Sequence, residues 1–256
     1  MPTVTGSVTR QNLHEPATQA MLRRLSLQDR EAVALATGTM VQYYGDEVAA
    51  VRSAEEAAAL RAMPPGYAIE QLNGLNVGCG DRSIHPGLLG VDAHKGTWAL
   101  GGKRPTSFTS LAHLRGWAHR LPFRSESIDF LIALHVLEHD VDPVATVLHW
   151  LDVVKPGGGV GIVVPDWRYT WDARRDRHPW SHRWNPTPSL LRSLHERHWA
   201  DVATLEHCAS YPFKLSFDVV LRKHGTFVPF DEHAMDERPT GYELHCRNTF
   251  LHEEAA

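Results

Sequence analysis

The sequence predicts an open α/β fold: a mostly parallel, Rossmann-like sheet preceded by helices. Three observations carry this. Leu75-Asn76-Val77 is an apolar run that feeds the glycine turn Gly78-Cys79-Gly80. A second run, Leu88 to Val91, ends in Asp92, and a third, Ile128 to Leu134, is long enough for a strand buried on both faces.

The elements follow in order. Residues 1 to 12 read as loosely docked. From Glu15 to about Ala62 the pattern is helical, with Met21, Leu22 and Leu25, then Val33, Leu35 and Ala36, at helical spacing. Ser53-Ala54-Glu55-Glu56 is expected to open an alanine-rich helix, with Ser53 as N-cap and Glu56 completing a capping box. Pro64-Pro65-Gly66 stops it. After the first two strands, 93 to 105 is expected to be irregular, and a third strand to lie near 115 to 119. Pro143 to Val154 is a helix with proline in its first turn. Gly157-Gly158-Gly159 would end it, and Val160 to Val164 would be the fifth strand. Ser216 to Arg222 and Tyr242 to Phe250 alternate apolar and polar residues and are expected to pair. The chain thus divides into a helical segment, 1–68, and a sheet domain, 69–256, with an insertion near 166–200.

Composition sets bounds. The 256 residues are 43% hydrophobic, enough for one sizeable core. Twenty-six basic against 30 acidic residues give a net charge of -4, so no basic stripe points to nucleic acid. Cys79, Cys208 and Cys246 have no metal-ligand spacing and suggest no disulfide framework, which favours a reducing, cytoplasmic setting. No signal peptide and no apolar run of membrane-spanning length is read. A homo-oligomer is left open. Seventeen histidines make acid/base candidates plentiful.

The glycine turn lets the backbone approach a ligand closely. A carboxylate ending the next strand can hold the two hydroxyls of a ribose. A dinucleotide fingerprint would need a third glycine where Ser83 stands. Only the eleven residues 81 to 91 separate Gly80 from Asp92, little room for a crossover helix whose N-terminus could seat a pyrophosphate. A nucleoside cofactor without phosphates is therefore expected.

Further motifs make the reading specific. Leu121-Pro122-Phe123 precedes the Ile128 to Leu134 run. His135-Val136-Leu137-Glu138-His139 follows that run, and Lys155-Pro156-Gly157-Gly158-Gly159 comes later. In this order the chain resembles the class I S-adenosylmethionine-dependent methyltransferases, strongly over 72 to 170 and loosely beyond. The resemblance implies a mostly parallel seven-stranded sheet with an antiparallel closing strand. It implies S-adenosylmethionine as cofactor, held by Gly78, Cys79, Gly80, Asp92, His119, Leu121 and His135. Asn76 stands where many relatives carry an acidic residue. His139, Glu138 and His135 would lie beside the acceptor, where a hydroxyl needs a general base. The Asn-Pro-Pro-aromatic string of amide and nucleobase N-methylation is absent after the fourth strand, which favours an oxygen, carbon or alkyl-amine acceptor.

Residues 166 to 184 read DWRYTWDARRDRHPWSHRW and hold four of the eight tryptophans. Aromatic faces stack on the CH face of a sugar, and Asp, Arg and His bond its hydroxyls, so a small saccharide acceptor is expected on Asp166, Trp167, Tyr169 and Trp171, with a purely structural lid as the alternative. Asp166 and Asp172 could alternatively join a histidine around Mg²⁺. This run and the motif order are similar to the family's sugar O-methyltransferases of actinobacterial polymethylated-polysaccharide pathways. The rival within enzymology is a small-molecule N- or O-methyltransferase of secondary metabolism, and outside it a cofactor-binding scaffold that has lost catalysis.

Overall fold

The computed structural model describes residues 7–100, 106–175 and 181–229. Helices α1 (Pro16–Leu22), α2 (Leu27–Thr37) and α3 (Asp46–Ala59) come first, and α3 runs into a 3-10 turn at Leu60–Ala62. Next are β1 (Gly74–Val77), β2 (Leu88–Asp92), β3 (Gly96–Leu100), β4 (Thr106–Ser110), β5 (Leu114–Arg115), β6 (Ile128–Leu134), α4 (Pro143–Val153), β7 (Val154–Pro165), α5 (Pro188–Leu194), β8 (Ala203–Ser210) and β9 (Ser216–Lys223).

Seven strands form one sheet in the order β5-β2-β1-β6-β7-β9-β8. Pairing is parallel from β5 through β7, and β9 runs antiparallel to both β7 and β8. The expected mostly parallel sheet closed by an antiparallel strand is therefore present. From β1 the chain steps outward to β2 and β5, then returns to β6 and steps the other way. The reversal between β1 and β6 is a topological switch point, and ligands of open α/β sheets bind outside the strand ends there.

The continuous burial of β6 reflects packing on both faces. Leu131 and Ala133 point to the face covered by α4, where Val147, Trp150 and Leu151 are buried. Phe130, Ile132 and Leu134 point to the opposite face with Ala58, Ala59 and Ala62 of α3 and its extension. The approach of α3 is close because β7 carries glycines beneath it. A Cβ on Gly161 would collide with the carbonyl oxygen of Ala59, and one on Gly159 with that of Ala62. Arg222 Nη1 donates to the same Ala62 oxygen at 2.8 Å, satisfying an end-of-helix carbonyl.

Several sequence expectations are corrected. Helix α3 begins at Asp46, not near Ser53. Glu47 accepts the Tyr44 N–H at 3.0 Å and pairs with Arg30, so the start lies a full two turns earlier. The 93–105 stretch is not wholly irregular: Gly96–Leu100 pairs with Thr106–Ser110 as an antiparallel hairpin. The third strand is only Leu114–Arg115. Gly157 to Gly159 lie within β7, not in a loop. The β6–β7 register shifts between Ile128 and Phe130, and Gly157 takes φ +73° beside that bulge. The partner of β9 is β8; Tyr242 to Phe250 lies outside the described residues. Of residues 1 to 12, 1–6 lie outside them too, while Val8 is buried in a small cluster with Leu13, Leu22 and Val33. Among the described residues, no helix is long and apolar enough to cross a membrane.

Candidate active site

The C-terminal ends of β1, β2 and β6 meet at the switch point. Gly78 turns the chain there with φ +63°, and a Cβ on it would strike the Val136 side chain from the β6 end. Both conditions require glycine. The amides of Gly78 and Cys79 donate to Val91 O, and that of Gly80 to Asp92 Oδ2 at 2.9 Å. His94 N donates to Asp92 Oδ1, also at 2.9 Å. Each oxygen of this half-buried carboxylate thus keeps a further lone pair, and its orientation is fixed. Gly116 N donates to Asp92 O, which places the next residue, Trp117, at the same edge. Trp117 is 50% exposed and stacks on His119 at 6.0 Å between ring centroids.

Gly78, Gly80, Asp92 and His119 therefore come to one edge. Two other cofactor candidates have side chains turned elsewhere. Cys79 is buried against Gly90, and burial, with Asp92 nearby, pushes its thiol up to about 12. Leu121 is 3% exposed within the core, and only its backbone is engaged, donating to His149 Nε2. Asn76 donates to Arg82 O at 3.0 Å and so closes the turn where relatives place a charge. The donor set suits S-adenosylmethionine: a carboxylate for ribose hydroxyls and an exposed indole for a purine face.

Beyond β6 the backbone is strained. His135 has φ +56°, an uncommon conformation for a residue with a Cβ. It is held by its N–H to Val163 O at 2.8 Å, by Nε2 to Glu55 Oε1 at 2.8 Å, and by Nδ1 3.6 Å from Glu138 Oε1. Glu55 comes from α3 and is 2% exposed. Burying a carboxylate costs several kcal/mol unless it is paired. Here Arg82 Nη1 donates to it at 2.9 Å and Ser216 Oγ at 2.7 Å, besides His135. Burial works against the charge, but these partners win and hold Glu55 down at about 2. Burial likewise opposes the His135 charge, yet the facing carboxylates of Glu138 and Glu55 raise it to about 10. Two carboxylates thus favour the charged form of His135, the form without a free lone pair for a proton. Of the three candidate bases, it is the one most strongly held by carboxylates.

These shifts set a pH dependence. The unfolded reference for His135 is 6.5, so from there to about 10 the native state keeps a proton that the unfolded chain has released. Stability therefore falls as pH rises through that window. The Glu55 contribution is present above 4.5 and is lost as pH falls toward 2. Melting temperature is expected to decline from pH 6.5 to pH 10, and Glu55→Gln to shallow that decline. An unchanged slope in the variant would mean that the pair does not govern it.

Glu138 and His139 lie on a 3-10 turn, Leu137–His139. Glu138 is 1% exposed; His139 Nε2 lies 3.8 Å from its Oε1, and the His139 side chain is 40% exposed. His182, from the insertion, brings Nε2 to 4.0 Å from the same oxygen. The insertion is tied down here: Arg183 N donates to Glu138 O at 2.7 Å and Trp184 Nε1 to Leu137 O at 2.9 Å. Trp171 is 44% exposed with its ring centroid 5.2 Å from that of His182.

The aspartates of the insertion do something else. Asp166 is 2% exposed, accepts Arg168 N at 3.1 Å, and takes the Arg168 guanidinium at 2.8 and 2.5 Å. Asp172 takes Arg174 at 2.9 and 2.8 Å and Asn185 Nδ2 at 2.8 Å, and Arg174 above all holds it well below the usual carboxylate range. Both carboxylates are spent on arginine forks, so the Mg²⁺ alternative through Asp166 and Asp172 is corrected. Trp167 faces Arg174 at 5.2 Å, and Tyr169 faces Arg168 at 5.7 Å. Trp171 is the one of the three that reaches the histidines; residues 176–180 lie outside the described set.

Sequence reasoning missed Glu55 and His182 as site residues. Glu55 had a signal: Glu55, Ala58, Ala59 and Ala62 follow i, i+3, i+4, i+7, which places a charge on an apolar face. His182 had none, because only folding brings it across from Glu138.

Residues 75–162 match a family model described as a methyltransferase domain. That stretch is similar to a methyltransferase domain, and the sheet that carries it has the class I methyltransferase, Rossmann-like architecture. No curated protein sequence matches the chain. Solved structures of similar fold include an S-adenosylmethionine-dependent methyltransferase from Methanosarcina mazei, 16% identical, covering 62% of this chain and 95% of that one with TM-score 0.43. The YcgJ protein of Bacillus subtilis is 14% identical, covering 70% and 100%, with TM-score 0.43. A chain from the complex of the Haloferax volcanii Trm112 methyltransferase activator with a methyltransferase is 13% identical, covering 79% and 100%, with TM-score 0.46.

Proposed function

We propose that this methyltransferase acts on a hydroxyl of a small saccharide. The observation that carries the reading is the exposed Trp171 face packed on His182, whose ring lies 5.2 Å from that of His139, a histidine backed by the buried Glu138 carboxylate. An indole face suits the CH surface of a sugar. In this reading His139 Nε2 takes the hydroxyl proton, and Glu138, 3.8 Å away, stabilises the imidazolium so formed. Asp92 and the Gly78–Gly80 turn would hold S-adenosylmethionine, which supplies an electrophilic methyl on sulfur. In-line displacement then depends on alignment of the acceptor oxygen by the insertion. The likeness of the 166–184 run to sugar O-methyltransferases, including the 1-O-methyltransferase of mycobacterial methylmannose polysaccharide synthesis, supports the same class.

The test is S-adenosylhomocysteine release across panels of sugars, amines and phenols, with turnover expected on a sugar. Turnover confined to amines or phenols would establish the small-molecule rival, and none with any panel would favour a scaffold. Trp171→Ala should raise the acceptor KM and leave cofactor affinity alone. An unchanged acceptor KM, in a variant of normal melting temperature, would remove Trp171 from the acceptor wall.

A further inference from the structure

We propose that Glu138, His139 and His182 form a site for a divalent transition-metal ion of the zinc type, open toward Trp171. One ligand atom from each residue lies within 4.8 Å of the other two. Glu138 Oε1 is 3.8 Å from His139 Nε2 and 4.0 Å from His182 Nε2. The carboxylate is buried, and among the described residues its Oε2 has no hydrogen-bond partner. A buried carboxylate oxygen without a donor is costly and calls for a cation or proton beside it.

The far side of the His139 ring also supports a cation. His139 Nδ1 is 3.4 Å from Ser181 O. A carbonyl can only accept, so Nδ1 is the ring's donor there and Nε2 is the atom turned toward Glu138. Metal-bound histidines have this arrangement, with the other ring N–H donated to a carbonyl or carboxylate. Ligands bonded at about 2.0–2.1 Å in a tetrahedral site stand roughly 3.3 Å apart. The two carboxylate–imidazole pairs must close by about half an ångström and the two imidazoles by up to about 1.5 Å, a movement that falls to the half-exposed histidine on its 3-10 turn. His135, whose Nδ1 is 3.6 Å from Glu138 Oε1, opposes a cation there, but Glu55 lies 2.8 Å from His135 and offsets that charge.

Two imidazoles and one carboxylate suit zinc, cobalt or nickel; a hard ion such as Mg²⁺ prefers oxygen ligands throughout. Three protein ligands leave a coordination position, the pattern of catalytic zinc sites. In its consequence this rests on the reading above. The ion would take the acceptor hydroxyl oxygen, lower its pKa and let its proton pass to solvent water. The oxygen lone pair then forms the bond to the methyl carbon. The carbon–sulfur electron pair stays on sulfur, leaving the neutral thioether. The ion thereby assumes the role given to His139 as base.

The test is calorimetric titration of the chelator-treated full chain with Zn²⁺, Co²⁺ and Mg²⁺, without methyl donor or acceptor. Saturable 1:1 binding of Zn²⁺ and Co²⁺, visible absorption of the Co²⁺ form and no Mg²⁺ binding are expected. His182→Ala and Glu138→Gln should each weaken binding at least tenfold. His139→Ala, at an exposed position that tolerates truncation, is the check should either buried variant fail to fold. Absence of saturable Zn²⁺ and Co²⁺ binding would overturn the site, as would equal affinity in wild type and His139→Ala. Metal bound with no sugar turnover would sink only the saccharide reading. Full sugar turnover in chelator with no metal bound would sink only the metal.

Discussion

His139→Ala is expected to lower kcat by about 10²- to 10⁴-fold, the usual cost of losing a general base or the ligand that activates the hydroxyl. Stability should barely change, because the ring is 40% exposed and truncation at such a surface position stays within about 0.5 kcal/mol. S-adenosylhomocysteine affinity should also hold, since Asp92 is fixed by Gly80 and His94 and not by the histidine turn. Single-turnover rates beside calorimetry separate these quantities. A rate within about threefold of wild type would take His139 out of the chemistry and leave Glu138 without a partner to orient.

Asp92→Ala should weaken S-adenosylhomocysteine binding by about 1.5–3 kcal/mol, the range for hydrogen bonds to a charged group. That is roughly a 10- to 150-fold rise in Kd. The side chain also caps the glycine turn through Gly80 N, so Asp92→Asn is the informative partner. It retains an acceptor for that amide but loses charge, and should fall between wild type and alanine. Equal affinity in all three proteins would place the ribose elsewhere.

The sequence was most legible where structure is local. Leu75 to Gly80, Leu88 to Asp92 and Ile128 to Leu134 each carry strand and turn signals within a few residues, and all three take their expected places. The closing pair was half legible. Ser216 to Arg222 alternates cleanly. Its partner β8 breaks period two at Glu206, where the register shifts between Leu205 and His207, so the alternation at 242–250 is the cleaner signal in the sequence. Gly157-Gly158-Gly159 read as a helix stop because glycine punctuates loops; a bulge that needs φ +73° looks the same in sequence. The candidate site was legible as motifs and illegible as contacts. His135 to His139 is one string. Its counter-charge lies 80 residues away at Glu55, and the second histidine beside Glu138 is 44 residues off at His182. Nor does the motif reveal that His135 is held as a cation.

Glycine at 159 and 161 has a consequence for how much of the chain counts as the enzyme. Helix α3 rests on β7 backbone to backbone, in a groove cut to the width of a helix by two absent side chains. A fragment trimmed to the recognisable methyltransferase stretch would uncover that groove. It would also leave the imidazolium of His135 without Glu55, the carboxylate that the helix delivers. The helix lies outside the family motif in sequence, yet the ionic state of the residue that opens the HVLEH string depends on it. Excision would therefore disturb the electrostatics of the reaction centre before it disturbed any residue of the motif itself.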